Sequence, residues 1–168
     1  AYRRPKDAGV KKGREGAGKM LLEITPMSLQ DLESVLEIER STFSFPWPQN
    51  SFYREIVNND YAHYFAVRLK GENIIIGYGG IWVLLDEAHI TTLAIHPRYR
   101  QAGAGSFLLS YLLEEALSRG AHQVFLEVRD SNLAARKLYE KYDFKITGRR
   151  KNYYYHEDAL LMVCKFSG

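Results

Sequence analysis

The stretch that most restricts the fold runs from Ala88 to Val128. "AHITTLAI" (88–95) reads as a strand, and "HPRYRQAGAG" (96–105) interrupts it with a proline and two glycines. "SFLLSYLLEEALSRG" (106–120) then carries the apolar spacing of an amphipathic helix ending at Gly120, a residue suited to a helix C-terminus. "QVFLEV" (123–128) follows, a second strand short and apolar enough to lie inside a sheet. A strand–helix–strand run of this kind closes as a right-handed crossover that leaves its two strands parallel.

The flanking elements are of a different sort. Residues 20–24 form a first strand. Ser28 opens a helix with Asp31 three residues on, a variant capping box, and Leu32, Val35 and Leu36 supply its apolar stripe. Pro46 and Pro48 in "SFPWP" end it, and a second helix is expected near 50–57. Strands follow at 62–69 and 74–85 with Gly71 turning between them, and Asp86-Glu87 is expected to make a tight hairpin into 88–95. After 128 come a helix over 132–142 and two closing antiparallel strands, "FKITGRR" and "DALLMVCKF". The implied fold is α/β: one mixed sheet with helices on both faces, without internal repeats.

At 168 residues and 46% hydrophobic content, the chain is long and apolar enough for one domain with a sizeable core. The net charge of +3 arises mainly from residues 1–19, which hold seven lysines and arginines against Asp7 and Glu15. With four glycines and little to bury, that stretch is expected to be a disordered basic extension, leaving 20–168 as the domain. The remainder is slightly acidic, so no direct nucleic-acid binding by the body is expected. No apolar run suits a membrane span or signal peptide, and the single cysteine, Cys164, fits a reducing compartment; the expectation is a cytoplasmic protein. The five histidines show no metal-ligand spacing, so no metal is expected.

Two segments bear chemistry. The first is Arg100-Gln101-Ala102-Gly103-Ala104-Gly105-Ser106. It lacks the Gly-Lys-Ser/Thr of a P-loop, and Leu108 stands where a dinucleotide fingerprint needs glycine. The opening turn of a helix nevertheless has unpaired N–H groups and a positive dipole end, and small residues let a bulky anion approach. Anion binding and a plain strand-to-helix turn both remain open on spacing alone. The second segment is "LEVRDSNLAARKLYEKYDF". Glu127 is a carboxylate within an apolar strand, sharing a face with Phe125 and Arg129, and is either a proton acceptor or a partner of Arg129. Asn132 and Tyr139 lie seven apart on one helix face, with the simpler readings of helix cap and core tyrosine.

Taken together these motifs resemble the GNAT superfamily of N-acetyltransferases. The similarity extends over about residues 20–166 and is greatest to the bacterial ribosomal-protein-alanine N-acetyltransferase (RimI-like) group. It is carried by "FPWP" followed by Phe52, "LDEAHITTLAI", "RQAGAG", "LEVRDSN", and "RRKNYY" followed by "EDALLM". The resemblance implies a mostly antiparallel sheet with a splayed central strand pair. It also implies acetyl-CoA as co-substrate, with its diphosphate on the backbone from Gln101 to Ser106. Leu93, Ala94 and Ile95 would pair with the pantetheine arm as a further strand, and Asn132 would contact it. Glu127 takes the position of the general base, and Tyr139 lies beside the sulfur. The implied acceptor is a protein N-terminus, the alanine of a small-subunit ribosomal protein, flanked by Phe45 and Trp47 and by Tyr153, Tyr154 and Tyr155; aromatic packing alone is the competing account of both clusters. Arg98, Arg100 and Arg136 are candidates to assist the CoA phosphates.

Two departures stand out. Tyr142-Asp143-Phe144 replaces the Leu-Gly-Phe common in relatives, at a place where glycine would serve a left-handed helix end. The connection "YYYHEDA" (153–159) is shorter than in some relatives and borders the peptide site. Two alternatives stay open at this point: acetylation of a small-molecule amine, and a non-catalytic acyl-CoA-binding module.

Overall fold

The computed structural model describes residues 20–167, and the expected basic extension, 1–19, lies outside the described residues. In chain order the elements are β1 (Leu22–Pro26), α1 (Leu32–Thr42), α2 (Gln49–Asn58), β2 (Ala62–Leu69), β3 (Ile75–Leu84), β4 (Glu87–Ile95), α3 (Ala104–Ser118), β5 (Gln123–Arg129), α4 (Leu133–Lys141), β6 (Lys145–Tyr154) and β7 (Glu157–Lys165). Short 3-10 turns precede α1 and α3. The seven strands form one sheet in the order β1-β2-β3-β4-β5-β7-β6. Every pairing is antiparallel except β4 with β5, the pair joined through α3. This is the expected mixed fold.

Helices cover both faces. Leu108, Leu109, Leu112 and Leu113 of α3 are fully buried and pack with Ile76, Ile90, Val124, Leu126 and Tyr139. Burying such side chains contributes roughly 2 kcal/mol apiece. On the other face Val35 and Ile38 of α1 and Phe52 of α2 close over Tyr64, Tyr78 and Ala94. Glycines in β3 make room for both layers. A Cβ on Gly80 would stand 2.4 Å from the Tyr64 ring, and one on Gly79 would stand 3.0 Å from Leu112 Cδ1.

The helix ends follow from sequence. Ser28 N–H donates to Asp31 Oδ2 at 2.9 Å, completing the capping turn. Gly120, at φ 91°, stands just past the end of α3, with its own N–H on Leu117 O and the Ala121 N–H on Ala116 O. Asp143 occupies the matching place after α4 at φ 64°, with Asp143 N–H on Glu140 O and Phe144 N–H on Tyr139 O. The left-handed end expected of a glycine is therefore made by an aspartate. The β3–β4 turn departs from expectation by one residue: Leu84 pairs with Glu87, so Leu85 and Asp86 make the turn, with Leu85 at φ 55° and almost wholly exposed.

Two irregularities in β4 shape the centre of the sheet. Its pairing with β5 covers only Glu87 to His89, against Gln123 to Phe125. Its pairing with β3 shifts where Gly80 meets Thr92 and Ile81 meets Ile90, leaving Thr91 as an extra residue. This bulge inverts the strand's phase: Ala88 and Ile90 face the α3 layer before it, Leu93 and Ile95 after it, while Ala94 faces α1. Beyond His89 the two central strands part. No helix among the described residues is long and apolar enough to cross a membrane.

Candidate active site

The parting of β4 and β5 leaves one edge of β4 without a partner strand over Thr91–Ile95, opposite its hydrogen-bonded edge on β3. Over Leu93, Ala94 and Ile95 the backbone groups alternate, those of Ala94 turning to β3 and those of Leu93 and the Ile95 N–H to the gap, as an extended amide-bearing ligand would require. The loop after β4 closes one end of that gap. Gly103 caps α3 at φ 88° and Gln101 stands at φ 58°, both left-handed. Phe107 N–H is the first to bond back into the helix, onto Gly103 O. The amides of Ala104, Gly105 and Ser106 precede that first intrahelical bond and head a fifteen-residue helix. Gly105 looks toward Leu138 of α4 and Ile95 of β4, at the mouth between α3 and α4.

Arg100 buttresses this loop from within: its Nε donates to Ile95 O at 2.8 Å and its Nη2 to Thr42 Oγ1 at 3.1 Å. Tyr142 braces the helix start, its hydroxyl donating to Ser106 O at 3.0 Å. Arg136 binds the Asp130 carboxylate and carbonyl, and Arg98 is exposed. Asn132 caps α4, its Oδ1 accepting from Ala135 N–H at 3.2 Å, and is itself exposed at the gap's α4 side. Cap and ligand contact are compatible, since the cap uses the oxygen and leaves the amide nitrogen for a ligand.

Alternation along β5 buries Val124, Leu126 and Val128 under α3 and turns Phe125, Glu127 and Arg129 to the opposite face. Glu127 is half-buried there. Its ion partner is Arg150 of β6, with Nη2 3.4 Å from Oε1. Arg129 does not pair with it. That guanidinium lies 4.2 Å over the Tyr154 ring and 3.4 Å from Glu157. The Glu127 charge, with burial second, holds the Tyr153 phenol above its ordinary pKa; Tyr154 is raised mainly by burial, with Glu127 next. On the α3 side of the sheet, Tyr139 is buried against Phe144. Burial, and secondarily the neighbouring Tyr154, pushes its phenol up to about 12. The sheet thus offers a carboxylate on one face and a firmly protonated phenol on the other, on either side of the parted strands.

The aromatic candidates divide. Trp47 packs inward on Phe52, with ring centroids 5.5 Å apart, and its backbone N–H donates to Glu39 Oε1 at 2.9 Å. Glu39 is buried, and that burial raises its acid against the pull of the Trp47 bond. Phe45 projects outward and stacks on Tyr155 of the β6–β7 turn at 4.8 Å and 10°. Tyr153 and Tyr154 meet edge-on at 4.9 Å. Arg150 and Glu39 escaped the sequence reading, although the run "RRKNYYY" was the available signal for the first; Tyr155, expected beside the acceptor with Tyr153 and Tyr154, lies in the β6–β7 turn against Phe45. Arg149 ties this hairpin to the start of α4, bonding Asp130 Oδ2 at 2.7 Å and Asp158 Oδ2 at 2.9 Å. Cys164 lies in the core, its thiol raised by burial to about 11. Among the described residues no cluster of three His, Cys, Asp or Glu side chains could hold a metal ion.

Known proteins resemble this chain in sequence and fold. Residues 32–144 match the model of the acetyltransferase (GNAT) family. A Bacillus subtilis protein provisionally named as a ribosomal protein bS18-alanine N-acetyltransferase is 44% identical over 138 residues, 81% of this chain and 90% of its own length. The Salmonella typhimurium ribosomal protein bS18-alanine N-acetyltransferase is 34% identical over 86% of this chain and 97% of its own. The crystal structure of the ribosomal-protein-S18-alanine N-acetyltransferase from Escherichia coli superposes with a TM-score of 0.79 at 31% identity, covering 88% of this chain and 97% of that one.

Proposed function

This chain belongs to the acetyltransferase (GNAT) family and is an N-acetyltransferase, and we propose that it carries acetyl groups from acetyl-CoA to the N-terminal alanine of a small-subunit ribosomal protein of the bS18 type. The observation that carries this reading is the parting of β4 from β5 between the open amides of α3 and the pair Glu127 and Tyr139. The acceptor identity rests on relatives named for that substrate.

The residues present fit the co-substrate. The amides of Ala104, Gly105 and Ser106, ahead of the Phe107 to Gly103 bond, suit a diphosphate, with Gln101, Ala102 and Gly103 shaping the approach and Arg100 holding the loop to β4. The free edge of Leu93, Ala94 and Ile95 suits the pantetheine amides, and Asn132 supplies an amide from α4. Bound acetyl-CoA supplies a thioester carbonyl and a thiol leaving group.

An α-ammonium has a pKa near ~8, so most acceptor is protonated at neutral pH and must lose a proton before its nitrogen can attack. Glu127 takes that proton, directly or through water, with Arg150 and Tyr153 fixing the carboxylate from the β6 side. The nitrogen forms its bond to the acetyl carbon as the C–S bond breaks, and the proton it then sheds passes to the leaving sulfur, giving a neutral amide and free thiol. Tyr139 holds its own proton firmly enough to donate a hydrogen bond to the departing sulfur without ionising. Phe45 and Tyr155 from one side, and Tyr153 and Tyr154 from the other, frame the acceptor terminus, while Trp47 anchors the loop bearing Phe45.

The test is thiol release from acetyl-CoA with a peptide beginning in alanine, run beside the same peptide with a blocked amine. Release with the free amine alone is the expected result. Equal rates with both peptides, or preference for a small amine such as a polyamine, would refute the acceptor assignment.

A further inference from the structure

The splay closes at His89 and Phe125, whose rings stack at 5.1 Å and 18°. Phe125 is two residues from Glu127 on the same face, about 7 Å along the strand. Past His89, away from the proposed chemistry, the same face of the sheet continues into a groove of about 430 Å³. Its floor and walls include Tyr61, Trp82 and Leu84, respectively 56%, 41% and 53% exposed. Glu55 of α2 accepts the Trp82 indole N–H and holds that ring in place. Asp86 and Glu87 also line the groove, and among the described residues no lysine or arginine does.

An apolar trough of this kind with acidic edges selects for a partner that is both cationic and apolar. Its continuity with Glu127 identifies which partner. We propose that this groove receives the cationic segment that follows the acetylated terminus of the acceptor protein, so that substrate is recognised at a distance from the reacting amine. The inference rests on the acceptor reading above. A protein that binds ribosomal RNA must neutralise phosphates with lysine and arginine, so such an acceptor carries the required charge. An extended chain advances about 3.3 Å per residue, so a terminus at Glu127 brings roughly its fourth to eighth residues over the groove.

The test uses the full chain and alanine-initiated peptides: one of four residues, one extended to twelve with arginines and aromatics, and one extended with acidic residues. The variant is Leu84→Ser/Leu85→Asn/Asp86→Lys, with Leu85→Asn alone as a control for folding, since asparagine tolerates the left-handed conformation better than leucine. The extended cationic peptide is expected to show a KM about tenfold below the short one, and the triple variant to abolish that advantage. The short peptide's kcat and the KM for acetyl-CoA should stay unchanged.

Direct binding of a fluorescent, N-terminally acetylated form of the cationic peptide separates the two readings. If it binds the parent but not the triple variant while no free-amine peptide is acetylated, the groove stands and the acceptor assignment falls. If it fails to bind the parent, or the acidic peptide binds as well, the groove proposal is overturned. It is equally overturned if the face forms a concentration-dependent dimer that the variant abolishes. Binding that appears only after residues 1–19 are removed would overturn it too, making the chain's own basic segment the occupant.

Discussion

Replacing Tyr139 with phenylalanine isolates a single hydrogen. The ring stays in its buried place against Phe144, so stability should change by less than about 0.5 kcal/mol. The proposed loss is a donor to sulfur as negative charge develops there, in a site screened from water. Removing one such preorganised donor typically costs about 3 kcal/mol in the transition state, or 10² to 10³ in rate. Turnover should therefore fall about a hundredfold, with acetyl-CoA affinity within about threefold of the parent because the thioester itself needs the donor less. The phenol at about 12 also fixes the pH behaviour. Tyr139 ionises too late to shape the rate at working pH, so the parent profile should rise with the acceptor amine near ~8 and show no descending limb below about pH 10. Thiol release at saturating acetyl-CoA across that range, with thermal melting as a control, measures both. A variant turnover within threefold of the parent would remove Tyr139 from the mechanism. A parent rate that declines near pH 9 and a variant rate that does not would instead show Tyr139 ionising there, and would refute its role as a firmly protonated donor.

Other substitutions test the frame around the site. Asp31 binds Arg68 at 2.6 Å; burial raises its acid, but the Ser28 N–H and the Arg68 guanidinium outweigh that and leave it lowered. Its contribution is thus present above the unfolded value near ~3.9 and fades as pH falls through the lower folded value. Asp31→Asn should cost about 2 kcal/mol in urea unfolding at pH 7 and progressively less below about pH 4; an equal loss at both would disprove the linkage. Asp143→Gly, relieving a left-handed aspartate, should raise stability by about 1 kcal/mol by the same measurement, and any loss would count against the strain. Gly80→Ala must move the Tyr64 ring, and a cost of about 2 kcal/mol with a lowered melting temperature is expected; no change would mean the ring yields freely.

What the sequence could disclose was set by locality. Apolar periodicity and glycine or proline punctuation act within one element, and so β2, α3 and the loop before α3 were readable within a residue or two. The alternation of β5 likewise told which way Glu127 faces. Its partner did not follow, because Arg129 is near in sequence while Arg150 arrives from β6 on the far side of β7, between two register shifts in the β6–β7 pair. The turn at Leu85-Asp86 was misplaced by one residue, since leucine at positive φ defies the local preference that such readings use. The Phe45–Tyr155 stack joins residues more than a hundred positions apart, and no local pattern encodes it. The splay was expected through resemblance; its physical origin, three paired positions followed by a bulge, was visible only in three dimensions.

The bulge at Thr91 makes β4 unequally tolerant of different kinds of change. Replacing a residue there alters one side chain. Deleting Thr91 removes the bulge and leaves Leu93 and Ile95 on the α3 side, because Ile90 and Thr92 then alternate regularly. Adding a residue there with the one-residue bulge kept sends Leu93 and Ile95 toward α1 and Ala94 into the α3 layer. What sets the phase of the strand is thus the bulge and the number of residues between Ile90 and Leu93, whatever their side chains. An engineer who wishes to retune the site has substitutions at hand, but no insertions.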